Sequence, residues 1–454
     1  MRTFDNIPPL LQFSEGRQEW EAKRNEIIDT VSKTEYGVRP DMDYSVTWQV
    51  TSREAALFGK AERIITDITV TTSLGSHTFP LYTFLPTGIK NPPTTLLICS
   101  QSRVLAPQKL PDGFRLEDLP QLLEKMNIVM DGPMDLGGSS RALDMASDMD
   151  NGHWPVPMMI QRGHAVSGFY ATDAHPDNGD FTEGLAKIFG TTKDREETEW
   201  GVLAVWAFAA SCTLDYLTTL PELDPEKIGI TGHSRCGKAA LWAGVTDERF
   251  AWVMPNNSGC CGAALSRSKH GENISSINTM MPYWFAPAFG SYTSKEFTLP
   301  FDQHTVLALV APRLLHVASG STDFWADPIG EHRSTVLANE IYRLYGNPEI
   351  EDVFPDVNSP VNAGAIGYHL RKGPHLLTEY DWSCLADHID HFLKHHEARG
   401  TRAEHPSFRF RAHHSRCKQL YQRQTTLQAD AEQRSFRFRT GREPPRHHPL
   451  QSET

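Results

Sequence analysis

The sequence lacks a CxxC pair, lacks any long apolar run and lacks an excess of basic residues. Seven cysteines, Cys99, Cys212, Cys236, Cys260, Cys261, Cys384 and Cys417, form an odd and scattered set. That pattern argues against a zinc site or a dense disulfide framework and leaves buried or idle thiols as the expectation, with single disulfides open to an exported protein. No stretch approaches the roughly 20 apolar residues that span a bilayer, so no membrane partner is expected. The opening "MRTFDNIPPLLQFSEGRQEWEAKRNEI" has no signal-peptide core, which makes a cytoplasmic location the expectation. The formal net charge is −12. An acidic body gives nucleic acid no basic face to bind, so none is expected as a partner.

What is present suits a large globular core. The 454 residues include 10 Trp and 22 Phe and are 39% hydrophobic. Residues 15–36 carry Trp20, Ile27, Ile28 and Val31 at helical spacing. "RIITDITVTT" (63–72) and "TFPLYTFLP" (78–86) alternate and predict paired antiparallel strands. Short apolar runs at 94–100, 164–170, 227–234, 251–258, 313–323 and 365–370 predict buried strands. Between them, 199–219, the run after Ser234, 331–345 and 379–396 predict helices. Strands alternating with helices after an antiparallel start imply an α/β fold whose mostly parallel sheet is covered on both faces. Two segments, about 101–160 and 171–198, lack periodicity and read as insertions over the C-terminal edge of the sheet.

The chain therefore divides into one α/β domain, 1–396, and a tail, 397–454. The tail holds 12 Lys and Arg against 6 Asp and Glu, leaving the body near −18. "SFRFR" occurs twice in it, at 407–411 and 435–439, without apolar periodicity, which predicts disorder. Its His pairs have no carboxylate or Cys pattern beside them and read as solvated rather than metal-binding.

The chemistry centres on "ITGHSRCGKAALWAG" (230–244), a strand running into a helix through Ser234. A serine hydroxyl becomes a nucleophile only with a base in reach and a group orienting that base. Hydrolase elbows place small residues two before and two after the serine. Gly232 satisfies the first position, whereas Cys236 occupies the second and the glycine, Gly237, comes one residue late. A plain helix-capping serine is the alternative. Hydrolases of this arrangement order their triad Ser, acid, His. Asp323 lies directly past the 313–323 strand, with Asp327 a rival acid. His375 lies in a Gly-Pro loop after the 365–370 strand, with His369, inside that strand, the rival base.

"GHSRCGKAALWAG", "DERFAWVMPNNSGCCGAALSR", "LPFDQHTVLALVAPRLLHVAS", "DFWADP" and "GYHLRKGPHLLTEYDW" together resemble the bacterial branch of the glucuronoyl esterases, carbohydrate esterase family fifteen. The similarity covers roughly residues 15–396, and the family's Gly-x-Ser-Arg-x-Gly-Lys motif accounts for the late glycine. The resemblance implies an α/β-hydrolase fold with long loop insertions over the site, and cleavage of 4-O-methyl-glucuronic acid esters that join glucuronoxylan to lignin alcohols. It implies Ser234 as nucleophile, His375 as base and Arg235 against the oxyanion. It also implies sugar contacts by Lys238, Glu272 and Trp325, for which a solvated lysine, a surface glutamate and a core tryptophan are the plain alternatives. Fungal members carry a catalytic glutamate where this chain has Asn257, so the acid must come from the later strand, where Asp323 fits. No metal or organic cofactor is required, and the expected partner is a carbohydrate ester. The oligomeric state is open, a monomer being expected. An acetylxylan-type esterase on the same scaffold and a catalytically silent carbohydrate-binding protein are the competing readings.

Overall fold

The computed structural model describes residues 4, 6–10, 16–99, 152–268 and 270–398. The expectations for most of the 101–160 insertion and for the tail beyond residue 398 lie outside these residues.

Among the described residues a ten-stranded sheet organises the fold. Strands β1 (Tyr44–Ala56), β2 (Ala61–Thr72) and β3 (Gly75–Pro86) form an antiparallel meander. β4 (Thr94–Cys99), β5 (Ala165–Tyr170), β6 (Ile228–His233), β7 (Trp252–Asn256), β8 (Leu314–Gly320) and β10 (Ile366–Arg371) follow, with the short β9 (Val361–Ala363) at the far edge. The order across the sheet is β1-β2-β3-β5-β4-β6-β7-β8-β10-β9. Pairings from β5 through β10 are parallel, and the two margins are antiparallel. The parallel strands are buried throughout, as strands covered on both faces must be.

The longer helices are α1 (Arg17–Val31), α2 (Val202–Leu217), α3 (Arg235–Thr246), α4 (Pro328–Leu344) and α5 (Glu379–Ala398). α2 buries almost every residue because it packs on β1, β2 and β4 and along the neighbouring α3. α1 buries Trp20 and Val31 and continues into a π-helical turn, Ser32–Tyr36. There Tyr36 stacks on Trp242 of α3 with ring centroids 4.3 Å apart. The six described cysteines are buried, and no disulfide joins them. No helix among the described residues is long and apolar enough to cross a membrane.

Because β6, β7, β8 and β10 run parallel, the segments leaving their C-terminal ends gather at one edge of the sheet. Ser234, Asn257, Asp323 and His375 are all on those segments. The 171–198 stretch is largely irregular, with short helices at Ala171–Ala174 and Gly184–Ile188.

Candidate active site

Ser234 connects β6 to α3 with φ 58° and ψ −129°. A non-glycine residue in this region is strained, and surrounding structure must hold it there. Its N–H donates to the Asn256 carbonyl at 2.9 Å, and its own carbonyl accepts from Gly237 N–H at 2.8 Å. The late glycine has a direct geometric cause. A Cβ at Gly232 would stand 2.2 Å from the Cys236 carbonyl oxygen, so strand and helix backbones touch there. At Gly237 a Cβ would stand 3.0 Å from the Gly232 oxygen and 3.1 Å from that of Asn256. Position 237 therefore faces the strands, while the Cys236 side chain turns into the core. Burial pushes the Cys236 thiol up, so it stays protonated.

His375 Nδ1 lies 2.6 Å from Asp323 Oδ2. A carboxylate only accepts, so Nδ1 carries the proton and Nε2 is left as the basic nitrogen. The His375 ring packs on that of His233, the residue before Ser234, with centroids 4.4 Å apart. Burial, then the neighbouring His375 and His153, hold His233 well below its ordinary pKa, so it stays neutral beside His375. Its Nδ1 is 2.6 Å from Asn256 Oδ1.

The rivals are placed elsewhere. Asp327 caps α4, accepting from Gly330 N–H at 3.1 Å and from the Ser268 hydroxyl. His369 is buried between His316 and Asp381. Asn257, where the fungal glutamate is expected, donates its Nδ2 to Asp323 Oδ2 at 2.6 Å. The amide thus braces the Asp323 carboxylate.

Arg235, the first residue of α3, donates to Asp177 Oδ2 at 2.5 Å, and its guanidinium carbon lies 5.3 Å from the Trp284 ring centroid. Asp177 also accepts from Trp284 Nε1 at 2.7 Å, which fixes the arginine beside the elbow. Lys238 and Glu272 are neither solvated nor superficial: they are 2% and 7% exposed. Lys238 Nζ donates to Glu272 Oε2 and to the Ser258 carbonyl, each at 2.6 Å. Burial alone would lower the Lys238 pKa, but Glu272 outweighs it and holds the ammonium charged. Trp325 is half-buried and its carbonyl accepts from Glu272 N–H at 2.7 Å, which ties the loop of Asp323 to the ion pair.

Sequence reasoning missed four contributors. Asp177 and Trp284 are distant in the chain from Arg235, and Arg371, though only four residues before His375, sits inside a strand pattern that gives no sign of its contacts. Glu331, fully buried in α4, accepts from Ser319 Oγ at 2.5 Å and Gly259 N–H at 2.9 Å. Only its place four residues after the α4 cap could have drawn notice.

A family model for fungal glucuronyl esterases matches residues 149–346. "Carbohydrate esterase MZ0003", from an unknown prokaryotic organism, is 39% identical over 258 residues, 56% of this chain and 59% of that protein. The 4-O-methyl-glucuronoyl methylesterase of Neurospora crassa is 30% identical over 205 residues, 42% of this chain and 50% of its own. The chain thus spans little more than half the length of these two curated relatives. The solved glucuronoyl esterase from Solibacter usitatus is 30% identical, covers 85% of this chain and 97% of that one, and superposes with a TM-score of 0.70. The chain belongs to the glucuronoyl esterase family. Its α/β-hydrolase fold is the family's, and the solved relative is bacterial, in keeping with the branch that the motifs resemble.

Proposed function

We propose that the protein is a serine carboxylic-ester hydrolase cleaving esters of glucuronic acid, including the 4-O-methyl sugar, in glucuronoxylan and lignin–carbohydrate fragments. The observation that carries this reading is the 2.6 Å His375–Asp323 bond with the His375 ring against the elbow bearing Ser234. Family membership and the buried Lys238–Glu272 pair support a uronate sugar over a bare acetyl group.

Ser234 Oγ attacks the ester carbonyl as His375 Nε2 takes its proton. Asp323 stabilises the imidazolium that results, and Asn257 shares the charge on Asp323. The carbonyl oxygen becomes negative beside the N–H groups at the start of α3 and the Arg235 guanidinium, which stays charged at any working pH. The C–O bond breaks, and the alcohol leaves with the proton from His375. Water then gives a proton to His375 and adds to the acyl-enzyme, which releases the uronic acid and restores Ser234. Lys238 donates to the Glu272 carboxylate and the Ser258 carbonyl, which orients the pair to meet sugar hydroxyls. Trp325 supplies a flat apolar face beside it.

Ser234→Ala is expected to abolish hydrolysis of methyl and benzyl glucuronate esters while melting like the wild type. Retained activity would remove the nucleophile. Faster turnover of acetyl-xylan than of either uronate ester would transfer the assignment to an acetyl esterase.

A further inference from the structure

The loop carrying His375, Lys372–Thr378, lies between β10 and α5 and outside the sheet ladder, so its backbone carbonyls must find donors elsewhere. Arg371, the last residue of β10 and 4% exposed, supplies them. Its Nη2 donates to the carbonyls of Pro374 at 2.6 Å and Leu376 at 2.8 Å, one on each side of His375. Its Nη1 donates to the Lys372 carbonyl at 3.0 Å. We propose that Arg371 is a positioning residue for catalysis, holding both flanks of His375 so that its ring meets Ser234 and Asp323 together. The proposal rests on the reading of His375 as the base.

The arginine is itself held from behind. Its Nε forms an ion pair with Asp381 Oδ2 at 2.9 Å. Asp381, fully buried near the start of α5, also accepts from Thr378 N–H and Oγ1, each at 2.8 Å, the acidic half of a capping box. Burial alone would raise this carboxyl, but the bond from His369 and the charges of His369 and Arg371 bring it below the ordinary range, so it stays ionised.

A chain of buried histidines completes the support. His369 Nε2 is 2.8 Å from Asp381 Oδ1, and His369 Nδ1 is 2.7 Å from His316 Nε2. His316 Nδ1 is 2.9 Å from His388 Nδ1, and His388 Nε2 is 2.9 Å from the Gly364 carbonyl. Both ends of the chain are acceptors. Burial holds His316 and His388 below the ordinary imidazole range, so both stay neutral, and Asp381 lies between His369 and the Arg371 guanidinium. The result is a rigid electrostatic mount reaching from the Gly364 turn to the base loop.

A lysine at 371 would keep the charge but cannot bridge two carbonyls and a carboxylate at once. Arg371→Lys is therefore expected to stay folded by near-UV circular dichroism. Its kcat per active site, counted with a fluorophosphonate titrant, should fall about tenfold to a hundredfold, as a loss of reacting geometry does. KM should stay within about twofold, and the acid limb of the kcat/KM profile against pH should shift. A purely structural role would lower the number of titratable sites and leave kcat per site and the pH profile alone. Asp381→Asn, which removes the charge orienting Arg371, should move kcat in the same direction, and it decides the matter if Arg371→Lys does not fold. Wild-type turnover per titrated site with a wild-type pH profile, in whichever variant folds, overturns the proposal. His375→Ala is measured alongside. If it is inactive while Arg371→Lys is normal, only this inference falls; if it keeps activity, the reading of the base falls with it.

Discussion

At Asp323 one carboxylate oxygen accepts two short bonds, from the His375 ring and from the Asn257 amide. A hydrogen bond to a charged acceptor is worth about 1.5 kcal/mol or somewhat more, so Asn257→Ala should cost about tenfold in kcat with little change in KM. Steady-state kinetics check this, and an unchanged kcat would mean the amide has no part in holding the acid. The Lys238–Glu272 pair gives a second residue-scale test. Removing one partner from a buried pair strands the other charge, at a cost of about 3–5 kcal/mol, whereas removing both avoids most of it. Lys238→Met alone should lower the melting temperature more than the double variant Lys238→Met/Glu272→Gln. Both should bind uronate esters poorly. Equal melting of single and double variants would contradict a buried pair. The chemical types at these positions were legible in the sequence. Their pairing was not, because nothing local in the chain links residue 238 to residue 272.

The elements show the same division. The elbow was legible because strand, serine and helix are contiguous, and the departure from the usual glycine spacing had a steric meaning. At Gly232 an added Cβ meets helix backbone at 2.2 Å, so Gly232→Ala must push α3 off β6. Loss of more than about 3 kcal/mol is expected, in the range of strong overpacking. Gly237→Ala, at 3.0 Å, should cost less, and chemical denaturation of the two variants tests that order. The buried parallel strands and the helices between them agree with their hydrophobic patterns to within a few residues. β1 escaped the reading of the sequence because it pairs along one side only and most of its residues remain accessible, which leaves a weak apolar signal. The irregular stretch that holds Asp177 read only as an insertion, since its role depends on Arg235 and Trp284 meeting it from other segments.

Across the whole molecule, ionisable groups enclosed in the core set how stability follows pH. Burial raises Glu331 to about 8 from an ordinary 4.5, against the bonds it accepts from Ser319 and Gly259. Glu35, also fully buried and bonded by Gln303, is raised to about 8 for the same first reason. A carboxyl raised in the folded state contributes stability that is fully present below pH 4.5. Between 4.5 and about 8 the unfolded chain has lost a proton that the folded protein keeps, so this contribution declines across that window. Glu331→Gln mimics the protonated acid and should flatten part of the decline in melting temperature between pH 5 and 8. A slope unchanged from wild type would mean that Glu331 is ionised in the fold.

The sequence by itself determined the α/β class, the strand that presents Ser234, and the order of serine, acid and histidine, because each is written in contiguous patterning or in motif spacing. Only the tertiary structure decided which acid meets the histidine, that Lys238 and Glu272 neutralise each other inside the core, and that Asp177 and Arg371 hold the two sides of the site. The physical reason is that charge pairing and burial depend on distances between segments that the sheet brings together, and a linear pattern records hydrophobic periodicity but not those distances.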